Sequence, residues 1–172
     1  MRVFHLPAVP AVYMQLCLYL TPELIVTPLS ATTKDGVIRE LAEHLAAQKH
    51  LPNAAHILKS ILEREASSST FLPSGIAIPH ARLGEVSDIM VTLGVSKTPL
   101  QDTDGSDGLN ANLFCLFLSP MVDKEFGKHL KLLARISAVF NDPDFIAQLT
   151  TLATPREVFE AIQKRERTLD ES

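Results

Sequence analysis

His80 stands where a side chain could do chemistry, because it follows an apolar stretch and a proline in Gly75-Ile76-Ala77-Ile78-Pro79-His80-Ala81-Arg82. The apolar run predicts a short β-strand over 76–79, which would fix the imidazole at the rim of a sheet. A neutral imidazole can attack phosphorus through one nitrogen, while the other keeps its proton and donates it to a fixed acceptor such as a carbonyl. His80 is therefore a candidate phosphoryl acceptor, although a histidine after a strand is more often structural.

A phosphorylated histidine at this position would carry nearly two negative charges and would need hydrogen-bond donors around it. Candidate donors close to it in the sequence are Arg64, the hydroxyls of Ser69 and Thr70, and Arg82. His129 lies where a helix is expected to begin, and a helix N-terminus favours anions. The sequence therefore offers a set of groups able to position and neutralise a phosphoryl group, which is most of what such a transfer requires.

Each of these residues also has an ordinary structural explanation. Arg64-Glu65 is compatible with the solvated end of a helix, and 67–70 with a plain linker. Arg82 can pair with a surface carboxylate, and His129 taken alone is an ordinary residue of a helix surface. Single residues leave both interpretations open.

The order of these motifs resembles that of the enzyme IIA domains of the bacterial sugar phosphotransferase system, type 2, the fructose/mannitol/nitrogen-regulatory class. The first motif is Arg64-Glu65-x-x-x-Ser69-Thr70 followed by 75–82, and the second is His129-Leu130-Lys131-Leu132-Leu133-Ala134-Arg135-Ile136-Ser137. The resemblance extends from about Leu18 to Lys164. Two histidine motifs in this order are far more specific than one short pattern.

The resemblance implies a phosphoryl carrier and hence a phosphotransferase. His80 would accept a phosphoryl group from a histidine-containing phosphocarrier protein and pass it to an enzyme IIB domain. Arg64, Ser69 and Thr70 would line the phosphoryl pocket, and His129 would stabilise the group held on His80. No small-molecule cofactor is implied.

Two other functions fit the same resemblance. Nitrogen-regulatory enzyme IIA proteins bind and regulate other proteins according to their phosphorylation state, and a degenerate module would keep the fold without the chemistry. The loop Thr70-Phe71-Leu72-Pro73-Ser74-Gly75 bears on this choice, because family members usually have a glycine-rich turn there, with more backbone N–H groups free to approach an anion. We expect a protein partner docking at His80 to contact Phe71, Leu72 and Leu83.

Helical and strand patterns alternate along the chain and must position these residues. Helices are predicted after an N-cap at Thr33, from Asn53 to about Glu65, over 126–140, after Asp142-Pro143, and after the capping box Thr154-Pro155-Arg156-Glu157. Strands are predicted at 76–79, 89–95 and 113–118, the last apolar enough to be buried on both faces. With the resemblance, this predicts an α/β fold: a three-layer α/β/α sandwich with a mixed, roughly five-stranded sheet and helices on both faces.

The composition is that of one globular domain and disfavours several other functions. The chain has 172 residues, of which 46% are hydrophobic and 21% charged, with a net charge of −4. This balance, without clustered Lys and Arg, argues against a nucleic-acid partner. Cys17 and Cys115 lack metal-type spacing, and no carboxylate or cysteine stands at ligand spacing around the histidines, so no metal is expected. A reducing cytoplasm is the simplest location.

The two ends of the chain carry separate expectations. Residues 3–20 are apolar but are interrupted by Pro7, Pro10 and Gln15, so no membrane insertion is expected. We expect residues 1–15 to form an N-terminal extension, with Met14 as a possible true start and 1–13 poorly packed. Residues 16–165 should form the enzyme IIA-like domain and residues 166–172 a charged tail, and the chain after Gln163 should fray.

Overall fold

The computed structural model describes residues 14–105 and 107–172, so the expectations for 1–13 lie outside the described residues. Five helices and five strands follow one another along this part of the chain. The helices are α1 (Lys34–Gln48), α2 (Ala54–Ser67), α3 (Phe126–Val139), α4 (Pro143–Thr150) and α5 (Pro155–Glu171). The strands are β1 (Ile25–Val26), β2 (Ile76–Ala77), β3 (His80–Leu83), β4 (Met90–Gln101) and β5 (Asn110–Pro120).

The strands form one mixed sheet around β5, which confirms the predicted sheet. β5 pairs antiparallel with β4 on one side and parallel with both β2 and β3 on the other, while β1 adds to β4 in parallel. β2 and β3 lie one after the other along the same edge of β5, with Ile76 opposite Leu113 and His80 opposite Phe117. The two residues between them, Ile78 and Pro79, interrupt the ladder just before His80.

The central strand is buried on both faces, as its apolar sequence predicts. Every residue from Leu113 to Leu118 is 0% exposed. Because successive side chains of a strand point to opposite faces, helices must cover both sides of the sheet. This confirms the α/β fold with helices on both faces and places Cys115 as a buried thiol.

The predicted helix starts are confirmed by their capping bonds. The Thr33 hydroxyl accepts from the Gly36 N–H at 3.1 Å at the start of α1. Asp142 caps α4, which has Pro143 at its first position, and Thr154 and Glu157 form the capping box of α5. Each side-chain oxygen satisfies a backbone N–H that has no partner within its helix.

The predicted strand before His80 was wrong in its boundaries. The run 76–79 contributes only Ile76 and Ala77 to the sheet, and His80 is the first residue of the next strand. Proline has no N–H to donate to a ladder, and the pairing that ends at Ala77 resumes at His80. His80 is thus itself part of a paired strand, whereas the sequence had placed it just after one.

The expectation that the chain frays after Gln163 was also wrong. Helix α5 continues to Glu171, and Glu166 is only 3% exposed. Its carboxylate accepts from the backbone N–H groups of Leu16 at 2.7 Å and Cys17 at 3.0 Å, and from Arg135 Nε at 2.7 Å. These bonds join the last helix to α3 and to the first described residues. Within residues 14–105 and 107–172, no helix is both long and apolar enough to cross a membrane.

Candidate functional site

The His80 imidazole is oriented by a backbone carbonyl. Its Nδ1 lies 2.8 Å from the Ile78 carbonyl oxygen. A carbonyl oxygen can only accept a hydrogen bond, so Nδ1 must carry the proton when the ring is neutral. The lone pair therefore resides on Nε2, which is the arrangement that a nucleophilic imidazole needs.

Burial keeps this imidazole neutral at physiological pH. His80 is 6% exposed, and its ring stacks on that of Phe117 with centroids 5.1 Å apart and planes 9° apart. Burial lowers the pKa of His80 below the ordinary value of 6.5, although the bond to the Ile78 carbonyl acts in the opposite direction. A neutral ring keeps its lone pair available for attack.

His129 lies beside His80, as the two motifs together predicted. It belongs to the first turns of α3, and the centroids of the two imidazoles are 5.2 Å apart. Burial, and then the nearby His80, Arg82 and Arg64, lower the pKa of His129 to about 4. A positive charge is therefore disfavoured on this second ring as well.

Ser119 holds the second histidine and was missed from the sequence. Its hydroxyl lies 2.6 Å from His129 Nδ1. When the hydroxyl donates to Nδ1, the His129 proton resides on Nε2 and can be donated to a further group. The only sequence signal was that Ser119 is the first polar residue after the apolar run 113–118.

Arg64 and Arg82 line the same cavity as the two histidines. The cavity has a volume of about 640 Å³ and lies among α2, β3 and α3; it is lined by Ser60, Glu63, Arg64, His80, Ala81, Arg82, Phe126, His129, Leu130 and Leu133. Arg64 Nη1 donates to the Ser68 carbonyl at 3.0 Å. The Arg82 guanidinium lies 4.7 Å from the centroid of the Phe126 ring, and its Nη2 donates to the Val122 carbonyl at 3.3 Å.

Both guanidiniums retain donors for an anion. Among the described residues, neither Arg64 nor Arg82 forms a salt bridge. The Arg82 Nε–H is buried and has no hydrogen-bond partner within that part of the chain. A buried donor without a partner is costly, so this guanidinium is not fully satisfied by the protein. The surface-carboxylate interpretation of Arg82 is therefore not supported.

Ser69 and Thr70 do not reach this cavity, which corrects their assignment to the phosphoryl pocket. The Ser69 hydroxyl donates to Asp102, and the Thr70 hydroxyl donates to Glu65 Oε2 at 2.8 Å. Neither side chain is among the lining residues. Both hydroxyls are engaged by carboxylates on the other side of the loop and are not free to bind a phosphoryl group.

The carboxylates in question belong to a buried cluster that sequence reasoning missed. Lys34 Nζ lies 3.2 Å from Glu65 Oε1 and 2.8 Å from Asp102 Oδ1, and all three side chains are buried. Glu65 is therefore not part of a solvated helix end. The three residues are far apart in the sequence, and no short pattern links them.

The apolar surface beside the cavity differs from the expected one. Phe71 and Leu83 are buried, and Phe71 packs edge-on against Phe114 with centroids 5.8 Å apart, so neither can contact a partner as predicted. Leu72 packs partly against the core. The apolar side chains that do remain exposed near the cavity are those of Met121, Val122, Phe126 and Leu130, with Phe126 42% and Leu130 50% exposed.

The described residues contain no cluster of possible metal ligands. No group of three or more His, Cys, Asp or Glu side chains in 14–105 and 107–172 could hold an ion. The cavity instead combines two neutral imidazoles with two guanidiniums, a donor set suited to an anion.

Comparison with known proteins agrees with this fold. The family model described as "Phosphoenolpyruvate-dependent sugar phosphotransferase system, EIIA 2" matches residues 18–165. A nitrogen regulatory protein of Bradyrhizobium diazoefficiens is 31% identical over 128 residues, which cover 74% of this chain and 81% of that protein. The fructose-specific EIIA component of Haloferax volcanii is 32% identical over 119 residues, covering 69% of this chain and 75% of that protein.

A solved structure shares the architecture. Nitrogen regulatory protein IIA-Ntr of Neisseria meningitidis aligns with a TM-score of 0.74 and 25% identity, covering 85% of this chain and 97% of that one. Against some longer relatives the chain spans only about a fifth of their length, 20% in one and 23% in another. The chain belongs to the enzyme IIA type 2 family of the phosphoenolpyruvate-dependent sugar phosphotransferase system.

Proposed function

We propose that this chain is a phosphoryl carrier whose acceptor atom is His80 Nε2. The observation that carries the proposal is the bond from His80 Nδ1 to the Ile78 carbonyl, because it leaves the Nε2 lone pair free beside Arg64 and Arg82. The donor would be a histidine-containing phosphocarrier protein and the acceptor an enzyme IIB domain. The free thiols Cys17 and Cys115 fit the reducing cytoplasm in which we place this relay.

The phosphoryl transfer requires no general base. His80 Nε2 attacks phosphorus as the phosphorus–nitrogen bond of the donor breaks, and the donor imidazole departs with its own electron pair. The phosphorylated His80 ring keeps its Nδ1 proton and becomes cationic, and the Ile78 carbonyl stabilises that proton. A transfer of this kind requires mainly alignment and charge neutralisation.

The remaining residues of the cavity neutralise the phosphoryl oxygens. Arg64 and Arg82 supply planar guanidinium donors, including the unpaired Arg82 Nε–H. His129, held by Ser119, donates from Nε2 to a phosphoryl oxygen and adds no charge of its own because its pKa is lowered. His80 is then the nucleophile, and His129 the stabilising group that the motif order predicted.

The exposed apolar side chains beside the cavity provide a contact for a folded partner. Phe126 and Leu130 lie at its wall, and Met121 and Val122 precede them on the same surface segment. A phosphoryl donor that is itself a protein must bring its phosphohistidine to His80, so the rim of the cavity has to be part of the interface. Apolar and aromatic groups are typical of the centre of such contacts.

A labelling experiment tests the proposal. Incubation with phosphoenolpyruvate, enzyme I and the phosphocarrier should add one acid-labile phosphoryl group, and His80→Ala should abolish the labelling. His56→Ala is a matched control, because His56 is an exposed histidine of α2 paired with Glu85 outside the cavity. Labelling of His80→Ala at the wild-type level would overturn the assignment.

A regulatory role is the second candidate, and the similarity to nitrogen regulatory proteins supports it. The chain is as similar to a nitrogen regulatory protein, at 31% identity, as to a fructose-specific component, at 32%. Co-purification with wild type, His80→Ala and His80→Glu separates the two roles. Retention of a transporter or kinase that depends on the phosphorylation state supports regulation, whereas transfer to a sugar-specific enzyme IIB supports transport.

A further inference from the structure

A buried charged cluster lies outside the cavity, and neither the donor set nor the docking surface accounts for it. It consists of Lys34, Glu65 and Asp102, with Lys34 Nζ 3.2 Å from Glu65 and 2.8 Å from Asp102. None of the three lines the cavity. Buried charges are costly to desolvate and are tolerated when each is paired and hydrogen-bonded, so the cluster is a fixed part of the fold. The cluster matters for the site because Glu65 also holds the backbone at Thr70.

The Glu65 carboxylate holds Thr70 in place through two hydrogen bonds. The Thr70 N–H donates to Glu65 Oε1 at 3.0 Å, and the Thr70 hydroxyl donates to Glu65 Oε2 at 2.8 Å. A hydroxyl has a single proton, and this one is given to the carboxylate. The Thr70 oxygen is therefore left as an acceptor, and it receives the Ile78 N–H at 3.1 Å.

The Ile78 carbonyl is the group that selects the His80 tautomer. The direction of this carbonyl depends on the hydrogen bonds between Thr70 and the Ile78 N–H. Thr70 fixes the N–H side of Ile78, because that N–H donates to the Thr70 hydroxyl oxygen at 3.1 Å and to the Thr70 carbonyl oxygen at 3.3 Å. On the other side stands Pro79, which has a restricted φ and no N–H of its own, and whose carbonyl accepts from Phe117 at 3.1 Å. The Ile78 carbonyl, held between these two points, accepts from His80 Nδ1 at 2.8 Å.

We propose that Thr70 and Glu65, held in place by Lys34, are positioning residues. They keep the His80 Nδ1–H donating to the Ile78 carbonyl and so direct the lone pair to Nε2. The benefit to phosphoryl transfer rests on the function proposed above. The effect on the tautomer does not, because it is a property of the unphosphorylated protein. Thr70 thus acts through another residue and never touches the phosphoryl group.

The test compares two threonines whose hydroxyls hold different groups. Thr70→Val removes the hydroxyl but keeps the shape, and Thr70→Ser retains the hydroxyl. Thr92→Val is the control, because Thr92 is a buried threonine that donates to the Leu24 carbonyl at 2.8 Å, away from the cavity. The proton position on the His80 ring is read from the ¹⁵N chemical shifts of the imidazole nitrogens, with thermal unfolding recorded for each variant.

The wild type should carry the His80 proton on Nδ1. In Thr70→Val the ratio of the Nδ1–H to the Nε2–H form should fall by about twofold to tenfold, because Ile78 N–H loses the hydroxyl but keeps its bond to the Thr70 carbonyl, and the labelling rate should fall in parallel. Thr70→Ser and Thr92→Val should keep the wild-type ratio. If Thr70→Val does not fold, Glu65→Gln carries the test, since its amide turns one acceptor of Thr70 into a donor and should shift the ratio in the same direction.

Other results would overturn the proposal. These are a wild-type proton on Nε2, an unchanged ratio in the folded variants at 70 and 65, or an equal shift in Thr92→Val. A shifted tautomer in a protein that accepts no phosphoryl group would keep the positioning role and remove the proposed carrier function. Normal labelling of His80 with an unshifted tautomer would do the reverse.

Discussion

Replacement of Glu166 by alanine should destabilise the protein far more than its place in a charged C-terminal segment suggests. Its carboxylate accepts from Leu16 N–H at 2.7 Å, Cys17 N–H at 3.0 Å and Arg135 Nε at 2.7 Å. Glu166 and Arg135 are both buried, and the substitution orphans two backbone donors and leaves Asp170, 2.8 Å from Arg135 Nη1, as the remaining carboxylate partner of the guanidinium. An unsatisfied buried donor costs about 1–3 kcal/mol, so losing the carboxylate from two of them should cost about 2–6 kcal/mol, a large share of the ~5–15 kcal/mol that stabilises a typical domain.

The free energy of unfolding can be measured by urea denaturation followed by far-UV circular dichroism. Glu171→Ala is the control, because Glu171 is an exposed residue at the end of the same helix and should change the stability by less than about 0.5 kcal/mol. A loss of under about 1 kcal/mol for Glu166→Ala would refute the reasoning, since it would match an ordinary surface substitution. The wild-type value would then owe little to the junction between α5, α3 and the first described residues.

Three further predictions concern the cavity. His129→Ala should lower the rate of His80 labelling by about tenfold to a hundredfold, the range for a lost hydrogen bond to a charged group, and an unchanged rate in a quench-flow assay would remove His129 from the site. Arg82→Gln should lower the same rate by at least about tenfold through loss of a charge-assisted donor, whereas Arg39→Gln on the exposed face of α1 should not. Titration of His80 followed by ¹⁵N NMR should show a midpoint below pH 6.5, because burial lowers its pKa and disfavours the protonated ring; the nucleophile is then lost only as the pH falls through that lowered value, and a midpoint at or above 6.5 would contradict the burial argument.

The sequence predicted the parts of the fold and site that depend on local patterns. The caps at Thr33 and Thr154 and the central strand over 113–118 are short-range signals, and each is found in the structure. The two histidine motifs named His80 and His129 as site residues through the family resemblance, and the centroids of their rings lie 5.2 Å apart. Arg64 and Arg82 were named as candidate donors because they lie close to His80 in the sequence.

The contacts that were mispredicted depend on partners distant in sequence. The Ser69 hydroxyl was assigned to the phosphoryl pocket, but its partner is Asp102, 33 residues further along the chain. Glu166 was placed in a frayed tail, but its backbone partner Leu16 lies 150 residues away. Phe71 was expected at the surface, but it fills space against Phe114, which no local pattern indicates. Polar pairing and side-chain packing between distant segments override local propensity, and one sequence does not encode them as a readable pattern.

The most direct test of the carrier function is the position of the phosphoryl group in the labelled protein. Two-dimensional ¹H–¹⁵N spectra of the phosphorylated chain, with ³¹P coupling to the imidazole nitrogens, distinguish His80 Nε2 from His80 Nδ1 and from every other histidine. We predict a single phosphoryl group bonded to Nε2 of His80, with the proton still on Nδ1 and donated to the Ile78 carbonyl. A phosphoryl group on Nδ1 of His80, or on His129, would contradict the account.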